Sequence, residues 1–148
     1  MSTPDVTLRT TCRPDDIVAH ARITPSLDIA RMYGAGAGPL PQPSLSRSEA
    51  WFDWFDAHPF ARVILHQGSL AGAVRLHSLS QEDRRARLAI GLFTPEALGK
   101  GIGRRAITLT LDHAFTEMAL HRVDLRVLAI TTRANRSYTA CGYSHEGP

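Results

Sequence analysis

Residues Leu98 to Arg105 read LGKGIGRR. Gly99, Gly101 and Gly103 alternate through the stretch, and Arg104 and Arg105 close it. Lys100, the only lysine in a chain with sixteen arginines, lies between the first two glycines. This spacing suits one kind of chemistry, the holding of a phosphorylated ligand by the main chain. Glycines let the backbone approach an anion without a Cβ in the way and allow turns that other residues resist. If a helix follows, its first N–H groups have no internal partner. The helix dipole then adds roughly half a positive charge at the same place. Arginines in a first turn oppose that dipole and cost a few tenths of a kcal/mol, which a bound anion offsets. The rival reading of the loop is a plain turn.

Two familiar nucleotide loops do not fit. A Walker loop needs glycine, four residues, then Gly-Lys-Ser/Thr, whereas Gly99-Lys100 is followed by Gly101 and position 94 is threonine. The upstream run GAGAGPLPQPS, residues 34–44, resembles a dinucleotide fingerprint only on the surface. Gly34-x-Gly36 runs on to Pro39 where a third glycine is required, and no strand precedes it. Its alternating Gly/Ala and three prolines make it a loop.

Charge singles out the same region. The chain carries +3 overall. Residues 99–136 hold seven basic side chains against three acidic ones, whereas residues 1–98 hold ten of each. The excess therefore begins at the glycine loop, which points to a local anionic ligand more than to a polyanion surface. Scattered arginines without an aromatic stacking platform argue against a nucleic-acid binder, so no nucleic acid is expected as a partner.

The elements that must position this loop follow from periodicity. Val6–Thr10 alternates as a strand. Asp15 is placed to cap a helix through about Ile23, and Ser26–Tyr33 reads as a second helical stretch. Ser46-x-x-Glu49 is a capping box for a helix through about Ala57. In it Trp51, Trp54 and Phe55 fall at i, i+3 and i+4 on one wide apolar face, as core or as the wall of a substrate pocket. Ala61–His66 and Leu70–Leu76 flank Gln67-Gly68-Ser69, a hairpin signal. After the charged turn Gln81–Arg85 comes a strand, Arg87–Phe93. Ile102–Ala119 is amphipathic, with Ile102, Ala106, Leu109, Ala114 and Met118 beside Ile107, Leu111 and Phe115. His121–Ala129 alternates cleanly. Thr132 is placed to cap a last helix that Gly142 ends, and Tyr143 begins a strand. The order β, helices, β-β-β, α, β, α, β gives an α+β fold with a mixed, mostly antiparallel sheet and helices on both faces.

At 148 residues, with 43% hydrophobic and 21% charged residues, the chain reads as a single soluble domain, residues 1–148. Cys12 and Cys141 have neither metal spacing nor a disulfide framework, so no metal is expected and a reducing, cytoplasmic setting fits. The N-terminus has no signal-peptide core, and no apolar run approaches the ~20 residues of a membrane span, so no membrane partner is expected.

Several stretches, in order, resemble the GNAT superfamily of N-acetyltransferases. "LAIGLFTPEALGKGIGRRAI" is similar to that family's fourth strand, pyrophosphate loop and following helix, with Gly101-Ile102-Gly103 as its Gly-x-Gly. "HRVDLRVLAITTRANRSYTACGYSHEG" is similar to its fifth strand, the Arg-Ala…Tyr helix and the start of the sixth strand. "RSEAWFDWF" and "SLAGAVRL" resemble the branch that includes ribosomal-protein N-terminal acetyltransferases. The resemblance spans about residues 6 to 147 and implies transfer of an acetyl group from acetyl-CoA to a primary amine, of a small molecule or a protein N-terminus, by direct attack in a ternary complex. It implies that backbone groups of Leu92 and Phe93 pair with the pantetheine arm. It implies that Leu98, Gly99, Lys100, Gly101, Ile102, Gly103 and Arg104 hold the pyrophosphate. Tyr138 matches the tyrosine that, in many members, protonates the leaving thiolate; its pKa near ~10 suits such an acid.

The chain departs from the family in places. Leu98 stands where Gln or Arg is usual, and Thr131 where many members carry Asn. Arg87 occupies a fourth-strand position that often carries an acid, so no base is assigned; His77, Glu82 and Asp83 lie near strand ends, within reach through water. The chain stops at Pro148, short of the family's closing strand. Either the form is truncated or a second subunit covers the exposed edge, and a homodimer is the expectation. Arg87 and the short end also motivate an alternative, a non-catalytic acyl-CoA-binding module.

Overall fold

A computed structural model describes residues 5–23, 43–94 and 100–124. In chain order the elements are β1 (Val6–Arg9), α1 (Asp15–Ala21), α2 (Leu45–Asp56), β2 (Phe60–His66), β3 (Ser69–Ser80), β4 (Arg85–Leu92), α3 (Ile102–Thr116) and β5 (Arg122–Asp124). The strands form one sheet in the order β1-β2-β3-β4-β5. The first three pairings are antiparallel and β4–β5 is parallel. The α+β class with a mixed, mostly antiparallel sheet is as the sequence implies. The stretches expected as a helix at 26–33, a loop at 34–42, a last helix and a sixth strand lie outside the described residues. So does the sheet edge on which the homodimer expectation rests.

The β2–β3 hairpin turns at Gln67-Gly68, both with positive φ, 52° and 81°. Two left-handed residues match the twist of the flanking strands, and glycine takes the second position without strain. Pleating then sends alternate residues of β2 to opposite faces. Phe60 and Ile64 face α3, whereas Ala61 and Val63 face α1 and α2. Helices therefore cover both faces of the sheet.

On the α3 face the core is almost wholly aliphatic. Ile64, Val74, Leu76, Leu88 and Leu92 meet Ile102, Ala106, Ile107 and Ala114. Each fully buried branched side chain contributes about 1.5–3 kcal/mol. Thr110, also buried there, satisfies its hydroxyl on the Ala106 carbonyl at 2.9 Å. Phe115, expected on this stripe, is 47% exposed. It lies five residues past Thr110, about 140° round the helix from it.

On the other face α2 begins two residues earlier than its capping box suggests. Ser44, extended at φ −156° and ψ 159°, is the N-cap, and its Oγ accepts from the Arg47 N–H at 3.1 Å. The buried stripe is Ser48, Phe52 and Phe55. Trp51 flanks it, while Trp54, two residues and about 200° from Phe52, is 49% exposed under the Arg75 guanidinium. In α1 the capping residue is likewise displaced. Pro14 is the N-cap, and Asp16 rather than Asp15 reaches back, accepting from the Cys12 N–H at 2.7 Å and pairing with Arg9 at 2.7 and 2.9 Å.

Candidate active site

The α3 N-terminus meets the end of β4. Gly101 caps the helix in the left-handed region, at φ 79° and ψ 5°, a conformation that costs other residues about 1–2 kcal/mol. The first helical bond runs from the Arg105 N–H to the Gly101 carbonyl at 3.0 Å. The amides of Ile102 and Gly103 come before that bond and have no acceptor among the described residues. Ile102 is buried in the aliphatic core, and a Cβ on Gly103 would sit 3.9 Å from Leu92 Cδ1. The helix therefore opens directly over the last residue of β4.

The first turn of α3 has no acidic residue. Lys100, Arg104 and Arg105 bring positive charge to the positive end of the helix dipole. Lys100 and Arg105 form no ion pair among the described residues. The unpaired amides and the dipole, with Lys100, Arg104 and Arg105 beside them in the chain, make a donor set suited to a diphosphate. Of the expected site, the structure places Gly103 of the run Lys100, Gly101, Ile102, Gly103 and Arg104 beside Leu92, with Phe93 next along the chain. Leu98, Gly99 and Tyr138 lie outside the described residues. The Phe93 N–H already donates to the Ala71 carbonyl at 2.9 Å. Because backbone groups alternate along a strand, those of Leu92 turn toward the β5 side.

Phe93 projects to the face opposite α3, into an aromatic group that sequence reading did not assemble. The His20 ring lies 5.0 Å from Phe93, edge-on, and stacks on Trp51 at 5.0 Å and 15°. Trp51 in turn stacks on Phe55 at 4.8 Å. His20 Nδ1 is 2.7 Å from Ser48 Oγ. Burial lowers the His20 pKa below its ordinary value. The sequence held a signal: His20 follows buried Asp16 by four residues and so shares its helical stripe.

The base candidates fall elsewhere. His77 pairs across the strands with Arg87, and Leu92 is five residues further along β4, about 16 Å at strand rise. Its pKa is lowered by burial first and then by Arg75, His58 and Arg87. Arg75 and Arg87 have no ion pair among the described residues, and Asp124, opposite Arg87, bonds Arg122 at 2.6 Å. Glu82 and Asp83 are exposed in the β3–β4 turn, further still from Leu92. A shallow hollow lined by Thr10, Asp56, His58 and Arg62 also lies at that far end.

A parallel β4–β5 pair beside an antiparallel sheet, with a glycine-capped helix opening over β4, defines a class. The chain belongs to the acetyltransferase (GNAT) domain family, whose model matches residues 5–144. It is 36% identical over 81 residues to spermidine N(1)-acetyltransferase of Vibrio cholerae, a stretch that is 55% of this chain and 46% of that protein. It is 31% identical over 84 residues, 57% of this chain and 45% of the relative, to YdaF of Bacillus subtilis, whose name places it with ribosomal N-acetyltransferases. The chain thus spans about half the length of the curated relatives it matches. The fold superposes on the crystal structure of Vibrio cholerae spermidine N-acetyltransferase in complex with CoA and spermine. That superposition has a TM-score of 0.75 and 27% identity and covers 96% of this chain and 82% of that one. Among the described residues no helix is long and apolar enough to cross a membrane, and no group of three or more side chains is placed to hold a metal.

Proposed function

We propose that this chain transfers the acetyl group of acetyl-CoA to a primary amine. The observation that carries the reading is the opening of α3: a left-handed Gly101, unpaired amides at Ile102 and Gly103, and a first turn without an acidic residue, with Gly103 set over Leu92. Lys100 to Arg104, with Leu98 and Gly99 before them, hold the pyrophosphate. Backbone groups of Leu92, on the β5 side, receive the pantetheine arm along β4. The bound cosubstrate supplies an activated acetyl thioester. The chain's own residues hold it straight, and Tyr138 donates a proton to the departing sulfur.

A small polyamine-like molecule is the first acceptor class, supported by the likeness to the spermidine acetyltransferases. A protein N-terminus is the second. The YdaF likeness supports it. So does the row Arg75, His77 and Arg87 on the α1/α2 side of the sheet, which disfavours a polycation. Cys12, an exposed free thiol, suits a reducing cytoplasmic setting.

The test combines calorimetry with CoA and a thiol-release assay over spermidine, spermine and short peptides with free N-termini. The expected result is CoA binding and release of free thiol with at least one amine. Gly101→Glu should weaken CoA binding more than tenfold while the protein stays folded by circular dichroism. Unchanged affinity in that variant would refute the phosphate seat. Tight binding with no thiol released by any amine would favour the acyl-CoA-binding module instead.

A further inference from the structure

We propose, on the acetyl-transfer reading above, that His20 lines the acceptor end of the site and takes the proton the amine must lose before it attacks. The placement comes first. His20 touches Phe93, the residue that follows β4, and α3 opens over Leu92, its neighbour. His20 and the diphosphate seat therefore share one end of β4, on opposite faces of the sheet. An amine approaching from the α1/α2 side meets this imidazole beside the strand along which the thioester arm lies.

The surroundings hold the ring in place. Trp51 stacks on His20, and Phe52 and Phe93 meet it edge-on at 5.6 and 5.0 Å. The ring is also held on one side only. Nδ1 is fixed by Ser48 Oγ at 2.7 Å, and Nε2 has no hydrogen-bond partner among the described residues. With the proton on Nδ1, donated to Ser48 Oγ, Nε2 carries the lone pair.

The charge state agrees. Burial is the sole cause of the lowered His20 pKa, and it favours the neutral ring. The charged and titratable groups on the elements around it are Asp15 and Asp16 on α1, the second held by Arg9; Arg47, Glu49, Asp53 and Asp56 on α2, the last two paired with Arg13; and Arg75, over the Trp54 ring, and His77 on β3. His77 is the weaker candidate because an ammonium brought to it would face Arg75 and Arg87.

The step balances. The ammonium gives one proton to His20 Nε2, which passes it to solvent. The amine nitrogen bonds to the acetyl carbon, the carbon–sulfur bond breaks, and the second N–H proton ends on the thiolate sulfur. Products are the amide, CoA thiol and one released proton.

The experiment is kcat/KM for the amine against pH, from 5.5 to 9.5, using acetyl-CoA with spermidine and with an alanyl peptide. In the parent enzyme kcat/KM should be flat from about pH 6.5 up to the amine's own pKa. His20→Gln should lower it between ten- and a thousandfold at pH 7, within the reach of a general base. The variant's profile should keep climbing with pH, because its amine must arrive neutral. CoA affinity should stay within twofold. Ser48→Ala keeps the stacked ring and should lose only a few-fold, with the flat profile retained. A parent enzyme whose kcat/KM climbs in parallel with that of His20→Gln would overturn the proposal and leave acetyl transfer standing. So would equal loss of CoA binding and activity in the variant. A parent enzyme inert toward every amine would sink acetyl transfer and this role with it.

Discussion

The two faces of the sheet are built from different chemistry. Against α3 lie Ile64, Val74, Leu76, Leu88 and Leu92, and Thr110, the one polar side chain buried there among the described residues, bonds its own helix. Against α1 and α2 lie Phe52, Phe55, Trp51, His20 and Phe93, with Asp16 buried and Arg75 and His77 partly so. An aliphatic face needs no polar partners and packs densely, so it fixes α3 rigidly on β4. Rigid placement is what a backbone phosphate seat requires, since a shift of the helix would move every amide together. An aromatic face with titratable groups is less forgiving to fold, but it can hold a cation and move a proton. On the proposed reading, one face positions the cosubstrate and the other handles the acceptor.

The largest effect should come from breaking the first face. Leu76 is fully buried between β2, β4 and α3. Leu76→Ala should cost about 2–5 kcal/mol from lost burial and the cavity left behind. That is a large part of the ~5–15 kcal/mol that holds a domain together. Urea titration followed by circular dichroism measures it. At low temperature the fraction that remains folded should keep the parent's kcat/KM. A fall in kcat/KM without a fall in stability would mean the aliphatic face takes part in chemistry.

A smaller effect separates charges that hold the second face from those that act there. Burial alone would push the Asp16 carboxyl up, but Arg9 and the Cys12 N–H outweigh it and hold it below the usual carboxylate range. Its side chain is 4% exposed, against 38% for Arg9. The unfolded chain therefore takes up this proton first as pH falls. Stability from Asp16 is complete above about pH 4 and is lost as pH drops through the lowered folded value. Asp16→Asn should cost about 1–3 kcal/mol at pH 7 and flatten that acid slope. His20 acts in a higher window with the same sign of slope. Its folded pKa is lowered, so below about pH 6.5 the unfolded chain binds a proton that the folded chain refuses, and stability falls. His20→Gln should remove only this upper part, read from urea midpoints between pH 4 and 7.

Much of this division was legible in the sequence, and the misses share a cause. The glycine run marked the start of α3, where Gly101 takes the left-handed conformation that few other residues accept before a helix. Gln67-Gly68 marked its hairpin for the same reason. Periodicity, however, says which residues share a stripe and not where the stripe's centre faces. Trp51, Trp54 and Phe55 were grouped as one wall, but the centre falls at Phe52, so Trp54 turns outward. Phe115 misses the core by the same kind of rotation. The α2 cap moved from Ser46 to Ser44 because several serines in a row offer the same oxygen, and local sequence does not choose among them. Spacing placed His20 on the buried stripe of α1, but its neighbours there, Trp51 and Phe93, lie far away in the chain and local sequence does not name them.

Trp54 gives the smallest effect and fixes where the second face ends. Its ring is about half exposed and carries Arg75, whose guanidinium lies 4.7 Å from the ring centroid. The His58 ring meets its edge at 4.8 Å. Both partners keep water on one side, so the cation–π attraction is worth about 0.5–1 kcal/mol. Trp54→Ala should therefore cost no more than about 1 kcal/mol in a urea titration, against about 3–5 kcal/mol for a buried aromatic such as Phe52. Its activity tells more than its stability. If the acceptor pocket ends at Trp51, kcat/KM for spermidine changes less than twofold in Trp54→Ala. A fall of tenfold or more would carry the pocket past Trp51 and out over Arg75, so that the cationic row touches the acceptor directly. The choice between a polyamine and a protein N-terminus would then rest on that row.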